Sequence, residues 1–403
     1  MFTILYHSLP TRHRKKANWA GDFLGIKVIQ ATLHGKFRPS GRIIASVGVA
    51  PMPRQTTRSV VARILSGSSY ARISRWSFDM QTSYLFPGQG SQRVGMGRDL
   101  RAAYPDLIAP IFDTADEILG FELSRLCWEG PEERLERTDI TQPAVFVASF
   151  AAYRVLAEIL PPPVVVAGHS LGEYTALVAA GVLEWTDALM LVRRRGMLMA
   201  GVNESTPGAM AAALGLPATE VEQICAAVRA ETAEVVEVAN YNSADQTVVS
   251  GSAAGVAGFS ARVLALGRAE VKVKRIKVGA PFHSSMMAAV EAEFAADLAR
   301  VRFADPVLPV VANVTARPVR TGEEAREALR TQLAGSVRWS DTLTTLLRYG
   351  IDTFLEVGPG RVLTGLCKRA YPDVACYSAG DARRIEAIMG AADFGVDAGL
   401  RAS

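Results

Sequence analysis

Val164-Val165-Val166-Ala167-Gly168-His169-Ser170-Leu171-Gly172-Glu173 is the stretch that decides the fold. The apolar run through Ala167 is mostly β-branched and reads as a buried strand. A Gly-X-Ser-X-Gly turn follows, and then the apolar helix pattern Tyr174-Thr175-Ala176-Leu177-Val178-Ala179-Ala180. Strand, tight turn and helix form the context of a nucleophile elbow. Gly168 and Gly172 leave room where a Cβ would clash. The turn lifts the Ser170 hydroxyl above the sheet, and the Leu171 amide at the helix N-terminus faces a developing oxyanion. The alternative is a structural serine in a glycine-rich turn.

Upstream, Ser83-Tyr84-Leu85-Phe86 reads as a strand ended by Pro87, followed by the glycine-rich loop Gly88-Gln89-Gly90-Ser91-Gln92. The loop lacks the lysine and the spacing of the common phosphate motifs, so it offers backbone amides to an anion or is a simple turn. Helices are predicted over 109–119 and 142–160, the second stopped by Pro161-Pro162-Pro163. A further helix starts at Trp185-Thr186-Asp187, with Thr186 as its expected cap. Ala188, Val192 and Met199 share one stripe of it with Arg195, whereas Arg193 and Arg194 are expected to be solvated. An arginine on an apolar face needs an anion, either a structural carboxylate or a substrate.

Residues 208–276 change rhythm, reading as strand, helix, strand, strand, helix, strand. That is the split ferredoxin-like unit, here inserted into a larger α/β domain. Asn240-Tyr241-Asn242 lies between two of its strands and is a candidate cleft segment, with Asn240 the candidate contact. The chain returns through Pro281-Phe282-His283-Ser284 to a helix with Val290, Phe294, Leu298 and Val301 on one face. Strands are predicted over 307–312 and 352–357, then a helix over 362–369. Of five histidines, His7, His13 and His34 are N-terminal and His169 adjoins the serine. His283 remains as the base remote in sequence. The expected division is a leader over 1–79, a catalytic subdomain over 80–206 and 277–385, a ferredoxin-like subdomain over 207–276, and a tail over 386–403.

Charge is unevenly placed. The first 80 residues hold 13 Lys and Arg against Asp22 and Asp79, so the remainder carries −7 of a chain total of +4. The mildly acidic body gives no sign of nucleic-acid binding. No apolar run reaches the length of a membrane span. Cys127, Cys225, Cys367 and Cys376 show neither CxxC spacing nor a metal-ligand pattern, which points to a reducing compartment such as the cytoplasm. The basic leader reads as a transit peptide, a translated region upstream of a start at Met80, or an arm for an acidic partner.

The ordered motifs Phe86-Pro87-Gly88-Gln89-Gly90-Ser91-Gln92, Gly168-His169-Ser170-Leu171-Gly172-Glu173, Arg195, Pro281-Phe282-His283-Ser284 and Glu356-Val357-Gly358-Pro359-Gly360 resemble those of the malonyl-CoA:acyl carrier protein transacylase family. The resemblance covers about Met80 to Tyr377 and extends to acyltransferase domains of polyketide synthases. It implies an α/β-hydrolase-like subdomain with a parallel sheet and a ferredoxin-like insert. It also implies ping-pong transfer of malonyl from CoA to Ser170, then to the phosphopantetheine thiol of an acyl carrier protein. In that reading His283 is the base, and the amides of Gln89 and Leu171 form the oxyanion hole. Arg195 holds the malonyl carboxylate, and a backbone carbonyl at Gln332 orients the histidine. Phe282, beside the base, crowds an α-methyl branch, and Asn240 is a cleft contact. Malonyl-CoA and the carrier protein are the expected partners, with no metal or bound cofactor: thioester, ester and thioester are close in energy. A serine esterase would instead show an acid after the nucleophile and a neutral acyl pocket, which Arg195 argues against. A carrier-binding scaffold would have no use for Ser170, His283 and Gln89 together.

Overall fold

The structure is a computed structural model that describes residues 80–205, 207–278 and 280–391. The leader, with its three readings, and residues 392–403 of the expected tail lie outside the described residues. In chain order the strands are β1 (Thr82–Phe86), β2 (Val165–Gly168), β3 (Gly208–Leu214), β4 (Val236–Ser243), β5 (Gln246–Ser252), β6 (Lys272–Arg275), β7 (Val310–Val311), β8 (Pro318–Val319), β9 (Thr353–Glu356) and β10 (Ala375–Ser378).

They form two sheets. The larger has the order β10-β9-β1-β2-β7-β8 and is parallel except for β8. Its central strands β1 and β2 are buried along their whole length, as expected where helices cover both faces. The smaller sheet, β4-β5-β3-β6, is antiparallel. Numbered within the insert, its strands run fourth, first, third, second, which is the ferredoxin-like order. It has its own core of Val221, Val228, Val236, Val249, Phe259 and neighbours.

The register of the large sheet places the site. Phe86 pairs with Gly168, and Ala167 with Val311. The segments that follow β1, β2 and β7 therefore emerge side by side at the carboxyl edge. Ligands of open parallel sheets bind at this edge.

Several boundaries differ from the sequence reading. The helix expected over 142–160 runs Thr138–Ile159, with Pro143 inside it. Proline has no N–H for the carbonyl four residues back. Here Arg193 supplies the missing donor: its Nη1 bonds the Asp139 carbonyl and, at 3.0 Å, the Asp139 carboxylate. Arg193 is thus paired rather than simply solvated, and Arg194 pairs with Glu293 and Asp297. Contrary to the sequence reading, helix Thr138–Ile159 has a membrane span's length and a hydropathy of 1.3, but 83% of that window is buried inside the fold. It packs against helix Trp185–Ser205. That helix begins one residue before Thr186, which is therefore a first-turn residue and not the cap. The strand expected over 307–312 shrinks to Val310–Val311, because Pro306 and Pro309 break the ladder before it. Helices Gly322–Gln332 and Trp339–Leu347, and the edge strands β8 and β10, had not been anticipated. The last helix, Ala382–Ala391, crosses the expected boundary at 385/386 because Ile385 and Ile388 are both buried in the core.

A Cβ on Gly168 would stand 1.9 Å from the Gly172 carbonyl carbon and 2.4 Å from the Glu173 nitrogen. Backbone cannot yield as a flexible side chain does. Gly168→Ala is therefore expected to destabilise the fold by about 1–3 kcal/mol or more and so to lower the denaturation midpoint. An unchanged midpoint in urea would contradict this packing of the elbow.

Candidate active site

Ser170 occupies the turn between β2 and helix Gly172–Ala179 at φ 51°, in the left-handed region that side chains rarely adopt. A Cβ on Gly172 would lie 2.0 Å from the Phe86 carbonyl oxygen, so the helix starts hard against β1. Asn313, just past β7, braces the turn from both sides. Its Oδ1 accepts from the Ser170 amide at 2.6 Å, and its Nδ2 donates to the Gly168 carbonyl at 2.6 Å. The Ser170 amide is thereby occupied. Among the described residues, the amides of Leu171 and Gln89 have no protein acceptor. The Gln89 side chain is tethered to the Thr138 hydroxyl at 3.3 Å.

His283 comes from the loop after the insert, also at positive φ (58°), with Ser284 Oγ donating to the Pro281 carbonyl at 2.7 Å. Its Nδ1 lies 2.8 Å from the Gln332 carbonyl and 3.1 Å from that of Gly335. Helix Gly322–Gln332 ends there, and the last carbonyls of a helix lack intrahelical partners. A carbonyl can only accept, so Nδ1 carries the proton and Nε2 is left as an acceptor. The Ser170 hydroxyl, 2.8 Å away, donates to that Nε2. The ring is 4% exposed. Burial first, and the Arg195 charge second, push its pKa down to about 3.

Arg195 is the largest buried charge in the site, at 1% exposure. Its Nη1 donates to Gln142 Oε1 at 2.8 Å, and its Nη2 to Ser170 Oγ and to Gln332 Oε1, each at 3.0 Å. Among the described residues its Nε has no hydrogen-bond partner, and its guanidinium carbon lies 5.8 Å from the Tyr174 ring centroid. No carboxylate among the described residues forms an ion pair with it. Of the two anions the sequence left open, a bonded structural carboxylate is therefore not what the described residues supply. Burial pulls its pKa below the ordinary value, opposed by Tyr174 and Glu173.

Two cavities flank Gln89. One of about 430 Å³ is bounded by Phe282, Met199, Thr138 and Lys277. The other, about 350 Å³, lies between the two sheets, where Asn240 faces Gly88, His169 and Lys274. Asn240 is buried, and its backbone bridges Val337. The side-chain link across this cleft comes from Asn242, whose Oδ1 accepts from His169 Nε2 at 2.9 Å. No cluster of His, Cys, Asp or Glu suited to a metal ion occurs among the described residues.

Sequence reasoning missed Asn313, Glu173, Gln142 and Gly335, whereas Asn242 lies in the Asn240-Tyr241-Asn242 segment it had placed at the cleft, now within β4 rather than between strands. Glu173 had a visible signal, as the one acidic residue in the short helix Gly172–Ala179. Asn313 had a weaker one, as the first polar residue after an apolar strand.

Comparisons with known proteins give the family. The model of the acyl transferase domain matches residues 83–388. The chain belongs to the acyl transferase domain family. A malonyl CoA-acyl carrier protein transacylase of Haemophilus influenzae is 40% identical over 309 residues, 75% of this chain and 96% of that one. The crystal structure of FabD from Acinetobacter baumannii superposes with a TM-score of 0.73 at 38% identity, covering 78% of this chain and 99% of that one. A malonyl-transacylase solved in complex with a type II polyketide synthase acyl-carrier protein gives a TM-score of 0.73 at 36% identity, covering 77% and 99%. The α/β fold with a parallel sheet and a separate antiparallel sheet is that of these structures.

The depressed pKa of His283 has a direct consequence. Its folded value lies below the ordinary 6.5, so the folded chain stays neutral there while the unfolded chain takes up a proton. Stability from this group is whole above 6.5 and is lost as pH falls toward 3. NMR of the ¹⁵N-labelled imidazoles, assigned with His283→Gln, should show a neutral Nδ1–H ring from about pH 8 to about pH 5. Protonation at the usual histidine pH would contradict the burial and contacts described.

Proposed function

We propose that this chain transfers malonyl from malonyl-CoA to the phosphopantetheine thiol of acyl carrier protein, through a malonyl ester on Ser170, and so supplies fatty acid synthesis. The observation that carries this is a buried guanidinium 3.0 Å from the candidate nucleophile with no ion-paired carboxylate among the described residues. Malonyl-CoA brings the missing anion. A planar guanidinium meets a carboxylate through two parallel hydrogen bonds, which acetyl cannot make.

The steps follow from the contacts. Ser170 Oγ attacks the thioester carbonyl while its proton passes to His283 Nε2. The carbonyl oxygen, now charged, is met by the amides of Gln89 and Leu171, and the nearby N-terminus of helix Gly172–Ala179 favours the same charge. The tetrahedral species expels CoA as its thiol, with the proton returned by the imidazolium. The second half-reaction reverses these roles: the carrier's thiol gives its proton to His283, attacks the ester, and Ser170 recovers its proton. The Gln332 and Gly335 carbonyls steady the imidazolium in place of an acid. The arginine that depresses His283 is neutralised when a malonyl carboxylate pairs with it, so the correct substrate also makes the base stronger. The residues present account for every proton, and the reading calls on no bound cofactor or metal. Phe282, buried beside His283, disfavours an α-methyl branch. Asn240 contributes to the cleft that admits the pantetheine arm. We place the reaction in the cytoplasm.

A second reading, a stand-alone acyltransferase serving a polyketide synthase, is favoured by the likeness to the polyketide-synthase transacylase complex. Carrier preference separates the two. An esterase is disfavoured by Arg195 and by the lack of an acid at His283 Nδ1.

Intact-mass analysis after mixing with malonyl-CoA should show one added malonyl group, and Ser170→Ala should abolish it. His283→Ala should slow acylation by roughly two to four orders of magnitude. An adduct persisting on Ser170→Ala would overturn the assignment. Arg195→Ala should weaken malonyl transfer by about 2–5 kcal/mol and leave acetyl transfer equal or improved. Equal loss for malonyl-, methylmalonyl- and acetyl-CoA would make Arg195 a structural residue.

A further inference from the structure

Glu173 is a buried acid beside the nucleophile for which the mechanism above has no use. It sits in the first turn of the elbow helix, three residues past the nucleophile, at 1% exposure. Its side chain turns inward, where Oε2 accepts from Gln332 Nε2 at 2.6 Å and from the Asn313 amide at 3.2 Å. Burial raises its pKa to about 7, with Gln332, Asn313 and Arg195 acting against that rise.

The surroundings of Gln332 allow only one orientation of its amide. Arg195 can only donate, so Oε1 must face Nη2, 3.0 Å away. The Ser170 carbonyl, 3.0 Å from Nε2, and the Glu173 carboxylate can only accept, so Nε2 must face them. Glu173 makes the shortest of these contacts, and the Asn313 amide donates to the same oxygen, which holds that oxygen in place. Reversing the amide would set Nε2 against the guanidinium and Oε1 against a carboxylate.

We infer that Glu173 is a positioning residue for acyl choice: by fixing the Gln332 amide it aims the Arg195 guanidinium at the acyl group on Ser170. Glu173 touches no reacting atom, and its effect passes through Gln332 to Arg195. The inference rests on the malonyl-transfer reading. Loss of Glu173 should therefore act on malonyl more than on acetyl. Glutamine at 173 can keep an oxygen at the Oε2 position for Gln332 and Asn313, and should restore most of what alanine loses.

The test compares the full chain with Glu173→Ala, Glu173→Gln and Gln332→Ala, each checked for folding by circular dichroism. Initial acylation rates of Ser170 are measured with malonyl-CoA and with acetyl-CoA. The expected result is a malonyl-to-acetyl ratio that falls about tenfold or more in Glu173→Ala and similarly in Gln332→Ala, with Glu173→Gln within about threefold of wild type; tenfold corresponds to about 1.4 kcal/mol. A folded Glu173→Ala that slows both acyl groups equally, or an unchanged ratio, overturns the inference. If Glu173→Ala does not fold, Glu173→Gln and Gln332→Ala decide it: an unchanged ratio in Gln332→Ala, or a Glu173→Gln ratio as low as that of Gln332→Ala, overturns it. Failure of the wild type to form a malonyl adduct defeats the underlying function instead, so the two failures are distinct.

Discussion

The site depends on one buried cation. Arg195 sits on an apolar stripe with Ala188, Val192 and Met199, all close to fully buried. A charge in such a place costs several kcal/mol unless its donors are satisfied. Its hydrogen-bonding partners here are neutral oxygens drawn from separate parts of the chain: Gln142, Ser170 and Gln332. Holding the guanidinium through Nη1 and Nη2 therefore ties the two long helices, the elbow and the end of helix Gly322–Gln332 together. In the proposed reading, the residual positive charge is what would distinguish this pocket from that of a neutral-acyl hydrolase.

The second constraint is the elbow. Parallel pairing of β1, β2 and β7 brings Gln89, Ser170 and Asn313 to one edge of the sheet. The left-handed φ of Ser170 is unfavourable for a side chain, and residues of this kind persist where their surroundings over-determine them. Asn313 supplies that constraint by occupying the serine amide and the Gly168 carbonyl at once. It leaves the next amide, that of Leu171, free to point at a charge.

The sequence was most legible where local rules coincide. Strand, glycine turn and apolar helix located Ser170, and the βαββαβ rhythm gave the antiparallel insert. His283 was found by elimination among few histidines, and its 2.8 Å contact with Ser170 agrees with that choice. What stayed hidden depends on distant pieces meeting. Nothing near Asn313 signals that it will reach across to the serine 143 positions earlier. The helix expected from 142 starts at Thr138 instead, because Arg193, far along the chain, takes the carbonyl that Pro143 leaves unpaired. The expected strand over 307–312 shrank for the opposite reason, since its own prolines overrule its apolar character.

The central claim is that the Arg195 charge is kept for the acyl carboxylate. A crystal structure of the enzyme after acylation by malonyl-CoA tests it most directly. The account predicts an ester on Ser170 Oγ whose free carboxylate makes two hydrogen bonds to the Arg195 guanidinium, replacing the present contact with the hydroxyl. A malonyl-Ser170 whose carboxylate points to solvent or to another cation, with Arg195 still bonded only to Gln142 and Gln332, would contradict it.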